Sequence, residues 1–173
     1  MKHTNKLFAS ILVLGAFISN ANAQSTATSS ASATIVTPIS IAKNVDMNFG
    51  NIAVTASGGT VVLAPAGTRT ATGGVTLPVV NGTVAAAAFT VSGQSAYTYD
   101  ITLPSGNIPL TSGANSMNAS SFTCSIGLTA GALSVGATGS QSFTVGATLA
   151  VSANQAAGAY TTATPFYVTV YYN

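Results

Sequence analysis

Apolar and polar side chains alternate along residues 33–52, whose sequence is ATIVTPISIAKNVDMNFGNI. The apolar side chains fall mainly on odd positions, from Ile35 to Phe49. An extended chain would therefore carry them on one face. The run is longer than an ordinary strand of about six residues, and Pro38 cannot donate to a sheet ladder. We predict two consecutive strands with a kink or change of sheet between them, ended by Gly50, which tolerates a positive φ.

The rest of the chain repeats short alternating runs between Gly, Ser, Asn and Pro. Asn81-Gly82 is a strong tight-turn signal, which predicts a hairpin between Val79-Val80 and residues 83–91. Residues 64–74 are rich in turn formers, and no segment shows a convincing helical stripe. This pattern predicts one all-β domain, a sandwich or barrel of about seven to ten strands. The other runs are 60–63, 75–77, 97–103, 122–128, 143–151 and 166–172.

The first 23 residues have the pattern of a secretory signal peptide. Lys2 and Lys6 form a basic start, residues 7–18 are apolar, and Ala21-Asn22-Ala23 fits a small-residue cleavage site. A retained membrane anchor is the alternative, but an apolar run of about a dozen residues is too short to span a bilayer. We expect a secreted or cell-surface protein that starts at Gln24 and has no transmembrane span.

Cleavage of 23 from 173 residues leaves 150, a normal size for one domain with a core. That chain carries two cations, Lys43 and Arg69, and two carboxylates, Asp46 and Asp100, so its net charge is zero. Nucleic-acid binding needs a basic footprint, which this chain lacks. Lys43 and Asp46 are expected to form an exposed pair of little energetic weight.

Few side chains could carry chemistry after residue 23, because that part of the chain has no His and no Glu. General acid–base catalysis and metal sites both need such groups. We therefore predict no enzyme activity, catalytic residue, metal or cofactor, and expect Asp46 and Asp100 to be solvated or to cap turns. Cys124, the single cysteine, alternates with Phe122 and Ile126, so we predict a buried, reduced thiol. An intermolecular disulfide is the alternative.

Four segments in order resemble the bacterial family of domain of unknown function 4402. They are TIVTPISIAKNVDMNFGNI, GTRTATGGVTLP at 67–78, the 97–103 run before Pro104, and ANQAAGAYTTATPFYVTVYYN at 153–173. The resemblance covers nearly all of the chain after residue 23. More distantly, DMNFG at 46–50 and the aromatic tail with its penultimate Tyr172 look like spore coat protein U domains and chaperone–usher pilin subunits.

The resemblance implies an immunoglobulin-like antiparallel β-sandwich, residues 34–173, that lacks one strand. In those relatives the flexible N-terminal arm of the next subunit fills the gap; here the arm is residues 24–33. Its small side chains, and the lack of paired cysteines, depart from the pilin pattern. The candidate donor residues are Ala27, Ala31, Ala33 and Ile35, and the candidate assembly edge is Phe166, Val168, Val170 and Tyr172.

We expect a non-enzymatic structural subunit of a bacterial surface fibre, such as a fimbria, or of an extracellular matrix. Uncharged β-domains with bare edges associate unless the edges are blocked. The expected partners are copies of itself or related subunits, with a periplasmic chaperone and an outer-membrane usher implied by the resemblance. A self-contained adhesin or carbohydrate-binding module, built on exposed tyrosines, is the alternative. An enzyme is the least favoured hypothesis.

Overall fold

A computed structural model describes residues 23–134, 136 and 138–173. The predicted signal peptide, apart from Ala23, lies outside the described residues. The chain divides into two units between Thr34 and Ile35. In the first unit, residues 23–34 are exposed and have no regular secondary structure. The signal-peptide, arm and domain boundaries stay predictions.

The second unit, from Ile35 to Asn173, is all-β in its described residues. It has eleven strands there, more than the predicted seven to ten, since the two-residue strands β8 and β10 are too short to show alternation. The strands are β1 Ser40–Val45, β2 Ala53–Leu63, β3 Arg69–Thr76, β4 Ala87–Gly93, β5 Thr98–Thr102, β6 Ile108–Ser112, β7 Asn115–Cys124, β8 Gly131–Ala132, β9 Gly139–Val151, β10 Thr161–Thr162 and β11 Thr169–Tyr172.

Strand β9 organises the larger of two antiparallel sheets. That sheet has the order β1-β4-β9-β7-β6-β10, and β2, which also pairs with β3, pairs with the C-terminal half of β9. Val145 of β9 pairs with Ala87 of β4 and with Cys124 of β7, so these two strands lie on opposite edges of β9. The second sheet has three strands in the order β11-β5-β8. The predicted antiparallel β-sandwich is confirmed.

Two apolar clusters form the core, and β9 contributes to both. Phe143 and Val145 pack with Tyr99 and Ile101 of β5 between the two sheets. The odd residues that follow on β9 pack with β2 in the other cluster. The predicted alternation along 143–151 is confirmed, because its odd side chains are all buried. Each such burial stabilises the fold by about 1.5–3 kcal/mol for a Val, Leu or Phe.

The segment 33–52 forms one strand and a bridge instead of two strands. Strand β1 begins only at Ser40, and the predicted second strand is reduced to an isolated bridge between Asn48 and Ala85. The ladder with β4 is irregular between Lys43 and Val45, which breaks the strict alternation. Gly50 has a φ of 67°, as the predicted end of the strand requires.

The hairpin predicted at Asn81-Gly82 is wrong. Gly82 does have a positive φ, 62°, but Val79 and Val80 form no strand and are exposed. Asn51 supplies the reason, since its backbone N–H donates to the Asn81 carbonyl at 2.8 Å and its side chain donates to the Val80 carbonyl at 3.0 Å. These bonds from another segment replace those of a local hairpin.

The turn predicted at 64–74 is shorter than expected. It ends at Thr68, whose carbonyl accepts a hydrogen bond from the Ala64 N–H at 2.9 Å. The glycines at 73 and 74 belong to β3 instead, and the Gly73 φ is 66°. Strand β6, which contains Pro109, was not predicted. It pairs with β7, and on its other edge only with the two residues of β10, and proline is tolerated near sheet edges.

Candidate functional site

A groove opens along inward side chains of the larger sheet, and no residue of the three-stranded sheet is among its described lining residues. Its volume is about 950 Å³, and its walls are residues 43–54 and 155–166. The floor consists of core side chains that a complete second layer would cover. They include Phe89, Leu110, Met117, Ala119, Phe122, Leu149 and Val151.

The first wall presents unpaired backbone. The N–H and C=O of Asn48 pair with Ala85 at 2.8 and 2.9 Å. In an extended chain the neighbouring residues direct their backbone groups to the opposite side, so the N–H groups of Met47 and Phe49 point away from Ala85, on the side where the Phe49 carbonyl accepts from Arg69. Neither amide donates a hydrogen bond to any described residue. Such an edge is a template for another strand.

Arg69 holds the Phe49 end of the first wall. The half-buried Arg69 guanidinium donates to the carbonyls of Phe49 and Asn51. A Cβ at Gly50 would collide with the Asn81 carbonyl, and its φ is positive, so only glycine fits this bend. At the mouth, the Lys43 ammonium contacts the Asp46 carboxylate at 2.5 Å, with both side chains mostly exposed. This pair matches its prediction and contributes little to stability.

The second wall is an irregular segment tied to the floor. The Gln155 amide donates to the Ser116 carbonyl at 3.2 Å and to the Tyr160 hydroxyl at 2.8 Å. That hydroxyl donates to the Ala156 carbonyl at 2.8 Å, which closes a tight loop of small residues. Beyond it, β10 pairs with β6, and the Phe166 ring packs 5.0 Å from that of Phe122 in the floor.

Beyond one end of the groove the sandwich is closed, where β1 and β11 approach each other. The Tyr172 hydroxyl donates to the Thr37 carbonyl at 2.7 Å and accepts from the Gln94 N–H at 2.6 Å. The Gln94 side chain accepts from the Thr37 N–H at 3.1 Å. These three bonds form a triangle of Thr37, Gln94 and Tyr172. The triangle fixes the chain just before β1, at the end of the sandwich away from Phe166.

The four residues of the candidate assembly edge all pack against the core between the sheets. Phe166 alone lines the groove, whereas the other three lie along or next to β11. Strand β11 pairs with β5, and its other edge pairs with no strand of the described chain. Because the Ile101 N–H of β5 donates to the Leu128 carbonyl on the far side, the Val170 backbone opposite Ile101 points to this free edge.

The candidate donor residues are all accessible. Ala27, Ala31 and Ala33 lie in the exposed segment 23–34. Ile35 is 97% exposed, although it is a large apolar residue. Removing an apolar side chain from water is favourable, so a partner that covers Ile35 would be stabilised by this contact.

Cys124 is half-buried, not buried as predicted. It shares the inward face with Phe122 and Ile126, so the predicted alternation is confirmed, but all three side chains are only partly buried. Burial raises the pKa of the Cys124 thiol. Burial, with a smaller contribution from a charged Cys124, also raises the pKa of Tyr99, whose hydroxyl donates to Gln141 at 2.7 Å.

Asp100 neither caps a turn nor is fully solvated, which corrects the prediction. It lies in the middle of β5 opposite Tyr171, and its Oδ1 atom is buried without a hydrogen-bond partner among the described residues. Asp46, by contrast, is exposed at the groove mouth. In the described part of the chain, no three His, Cys, Asp or Glu side chains group closely enough to hold a metal ion.

The sequence reasoning missed the groove floor and the 155–160 wall. The inward positions of β7 and β9 are visible as alternation, but alternation does not show which inward side chains remain uncovered. Residues 155–160 entered only as part of the segment 153–173, which carries the family resemblance. The Gln155 bond to Ser116 joins residues 39 positions apart, and no local pattern reports it.

The family model described as "Domain of unknown function (DUF4402)" matches residues 39–172. The match includes all the strands and both groove walls, and it begins after the exposed segment 23–34. Neither the curated proteins nor the solved structures show a significant match to the chain. Within the described residues, no helix is long and apolar enough to cross a membrane.

Proposed function

This chain belongs to the DUF4402 family, and we propose that it is a non-enzymatic, exported structural subunit of a bacterial surface fibre or extracellular matrix. It assembles by β-strand addition with copies of itself or related subunits. The observation that supports this function is the groove of about 950 Å³ whose floor is the sandwich core. An incomplete sandwich gains stability when a partner strand completes it.

An extended peptide suits the groove better than a small molecule. The floor is apolar, while the first wall offers the N–H groups of Met47 and Phe49, which donate to no described residue. In strand addition, main-chain hydrogen bonds supply affinity and alternate side chains enter pockets. The segment 24–36 has small or apolar residues at odd positions from Ala27 to Ile35 and small polar residues between them. Such a strand would bury one face and leave the other in water.

The side chains around the groove favour a structural role over catalysis. Its only charged residues are Lys43 and Asp46, which pair with each other in solvent. Ser and Thr hydroxyls are weak nucleophiles without an adjacent base, and residues 24–173 contain no His and no Glu. A periplasmic chaperone that shields the groove, and an outer-membrane usher that directs the exchange, are the accessory partners that this assembly would use.

An adhesin or carbohydrate-binding module is the second candidate function. Tyr167 and Tyr171 point outward from the last segment and are 77% and 50% exposed. Exposed aromatic rings stack on sugars, and Tyr is enriched at binding surfaces. This function needs no arm, so removal of residues 24–33 would leave it intact.

The test is electron microscopy of protein released from cells that express the full chain. The structural-subunit function predicts ordered fibres or a continuous matrix. Deletion of residues 24–33, placed after the cleavage site, should leave only isolated globules. Isolated globules from the full chain would contradict the proposal.

The matched control keeps the length of the arm. Ala31→Asp with Ala33→Asp puts two charges on the face that enters the groove and should stop fibres. Ser32→Asp with Thr34→Asp puts the same charges on the opposite face of an extended strand and should leave fibres intact. Equal loss in both variants would show that charge alone, and not strand insertion, decides assembly.

A further inference from the structure

We propose that a second pocket, which lies across the Gly50 bend from the groove, binds a small carboxylate that carries a short apolar chain. We call it the Arg69 pocket. Its volume is about 420 Å³, and it shares no lining residue with the groove. The binding site is separate from the proposed assembly and does not depend on it.

The Arg69 pocket lies where the turn before β3 meets the segment that follows β3. Residues 67–69 form one side, and residues between 77 and 84 form the other. Gly50 lines the groove, and a Cβ on Gly50 would meet the Asn81 carbonyl and the Arg69 guanidinium. The Gly50 bend therefore separates the two spaces, and the Arg69 side chain reaches both the bend and the pocket.

Arg69 supplies the charge of this pocket. It is the single arginine of the chain, it is half-buried, and it forms no ion pair with a carboxylate of the described residues. Its Nη1 atom donates to the carbonyls of Phe49 and Asn51, which fixes the plane of the guanidinium. Its Nε and Nη2 atoms donate to no described residue, so the N–H groups on that side of the fork are available to a ligand.

Two neutral donors accompany the guanidinium. Thr68 and Asn81 both line the pocket. Each accepts a backbone hydrogen bond through its main-chain carbonyl, and neither the Thr68 hydroxyl nor the Asn81 amide bonds to a described residue. A carboxylate has two oxygens that accept several hydrogen bonds, and its geometry matches the guanidinium fork. These three side chains together therefore suit a carboxylate.

The other lining residues favour a monoanion with an apolar chain. A phosphate carries about two negative charges at neutral pH, whereas Arg69 is the only charged side chain among the described lining residues. Leu77, Val79 and Val84 line the same space, and the Val79 side chain is fully exposed. An apolar chain that covers Val79 removes its surface from water, which is favourable.

Two kinds of molecule carry this chemistry, a free short-chain fatty acid and the C-terminal residue of a peptide. Hexanoate and N-acetylleucine represent them, and hexanamide and N-acetylleucinamide keep the apolar chain without the charge. Equilibrium dialysis against the protein released from cells measures all four, and it applies to fibres and globules alike. We expect binding of at least one acid, the tighter of the two giving the source, and no binding of its amide. Equal binding of acid and amide, or no binding of either acid, would overturn the proposal and leave the proposed function standing.

Variants place the acid in the Arg69 pocket. Asn81→Asp puts a carboxylate beside Arg69 and should weaken binding of the acid by at least about tenfold, because it competes for the guanidinium and repels the ligand. Thr68→Val removes one hydrogen-bond donor and should weaken binding about twofold to tenfold.

The matched control is Asn107→Asp, which makes the same change at an exposed residue that lines neither the pocket nor the groove. It should bind the acid as the natural chain does. Equal losses in the two Asp variants, or no loss in Asn81→Asp and Thr68→Val, would place the acid elsewhere and overturn the proposal.

The single arginine gives a residue-specific readout. In a chain made with isotopically labelled arginine, only Arg69 contributes an Nε–H signal to the magnetic resonance spectrum, in solution or, for fibres, in the solid state. We expect this signal to shift when the bound acid is added and to stay in place with its amide. A signal that does not move while the acid binds would overturn the proposal.

Discussion

The Tyr172 hydroxyl donates a hydrogen bond to the Thr37 carbonyl at 2.7 Å, across 135 positions of sequence. The same hydroxyl accepts from the Gln94 N–H. The penultimate residue of the chain thereby fixes the point from which the N-terminal arm leaves the domain. One phenol joins the last strand to the residue that follows β4 and to the segment that precedes β1.

Tyr172→Phe should lower the free energy of unfolding by about 1–3 kcal/mol, because it leaves the Gln94 N–H without its acceptor while keeping the ring in the core. Tyr171→Phe is the control, since Tyr171 lies on the outward face and is half-exposed. It should change stability by less than about 0.5 kcal/mol. Urea unfolding of the arm-deleted domain measures both. Equal effects would mean that the triangle around Thr37 does not stabilise the fold.

The two cations of the domain should differ in importance. Arg69→Met removes charge-assisted hydrogen bonds to the Phe49 and Asn51 carbonyls and should cost about 1.5–3 kcal/mol. Lys43→Met removes an exposed ion pair and should cost about 0–1 kcal/mol. Thermal unfolding of both variants checks this order. Because Arg69 holds the first wall, its variant should also assemble less than the Lys43 variant at equal concentration.

Stability should fall at alkaline pH. Burial raises the pKa values of Cys124 and Tyr99, so the folded chain keeps protons that the unfolded chain releases first. As pH rises past about 9, the unfolded state binds fewer protons than the folded state, and the free energy of unfolding decreases. Urea titrations from pH 7 to 10.5 measure the slope. Cys124→Ala should remove the part of this decrease that occurs at the lower pH values. A slope that this variant leaves unchanged would rule out the thiol as the source of the decrease.

The double variant Asp46→Asn with Asp100→Asn should assemble like the natural chain. Neither carboxylate has a catalytic partner, and they lie apart, in the groove mouth and in β5. The measurement is fibre yield by sedimentation, with circular dichroism to verify folding. A folded double variant without fibres would show that a carboxylate has a function in assembly.

Alternation predicted the fold class because it records which face of each strand is buried. The odd residues from Phe143 to Val151 are buried as predicted, and so are Tyr99 and Ile101. Tyr97 departs from its pattern, since it lies before β5 and is 42% exposed. The failures have long-range causes. Asn51 donates hydrogen bonds to the carbonyls of Val80 and Asn81, and these bonds prevent the local hairpin. Such bonds depend on segments about 30 residues apart, and no local sequence window reports them.

The candidate site was predictable only in part. The four assembly-edge residues do face inward, as period two requires. The groove itself depends on which inward side chains of the larger sheet stay uncovered, and this is a property of tertiary packing. Neighbouring residues of one pattern can therefore be covered or open: Val168 packs in the core, whereas Phe166 also borders the groove.

Binding of an arm peptide to the arm-deleted domain tests strand insertion most directly. The domain lacking residues 24–33 is titrated with a synthetic peptide of residues 24–36, and its melting temperature is followed. A ligand that binds only the folded state raises that temperature with concentration. The account predicts this rise, no rise with the Ala31→Asp, Ala33→Asp peptide, and a normal rise with the Ser32→Asp, Thr34→Asp peptide. An unchanged melting temperature with the natural peptide, or fibres from the arm-deleted domain, would contradict it.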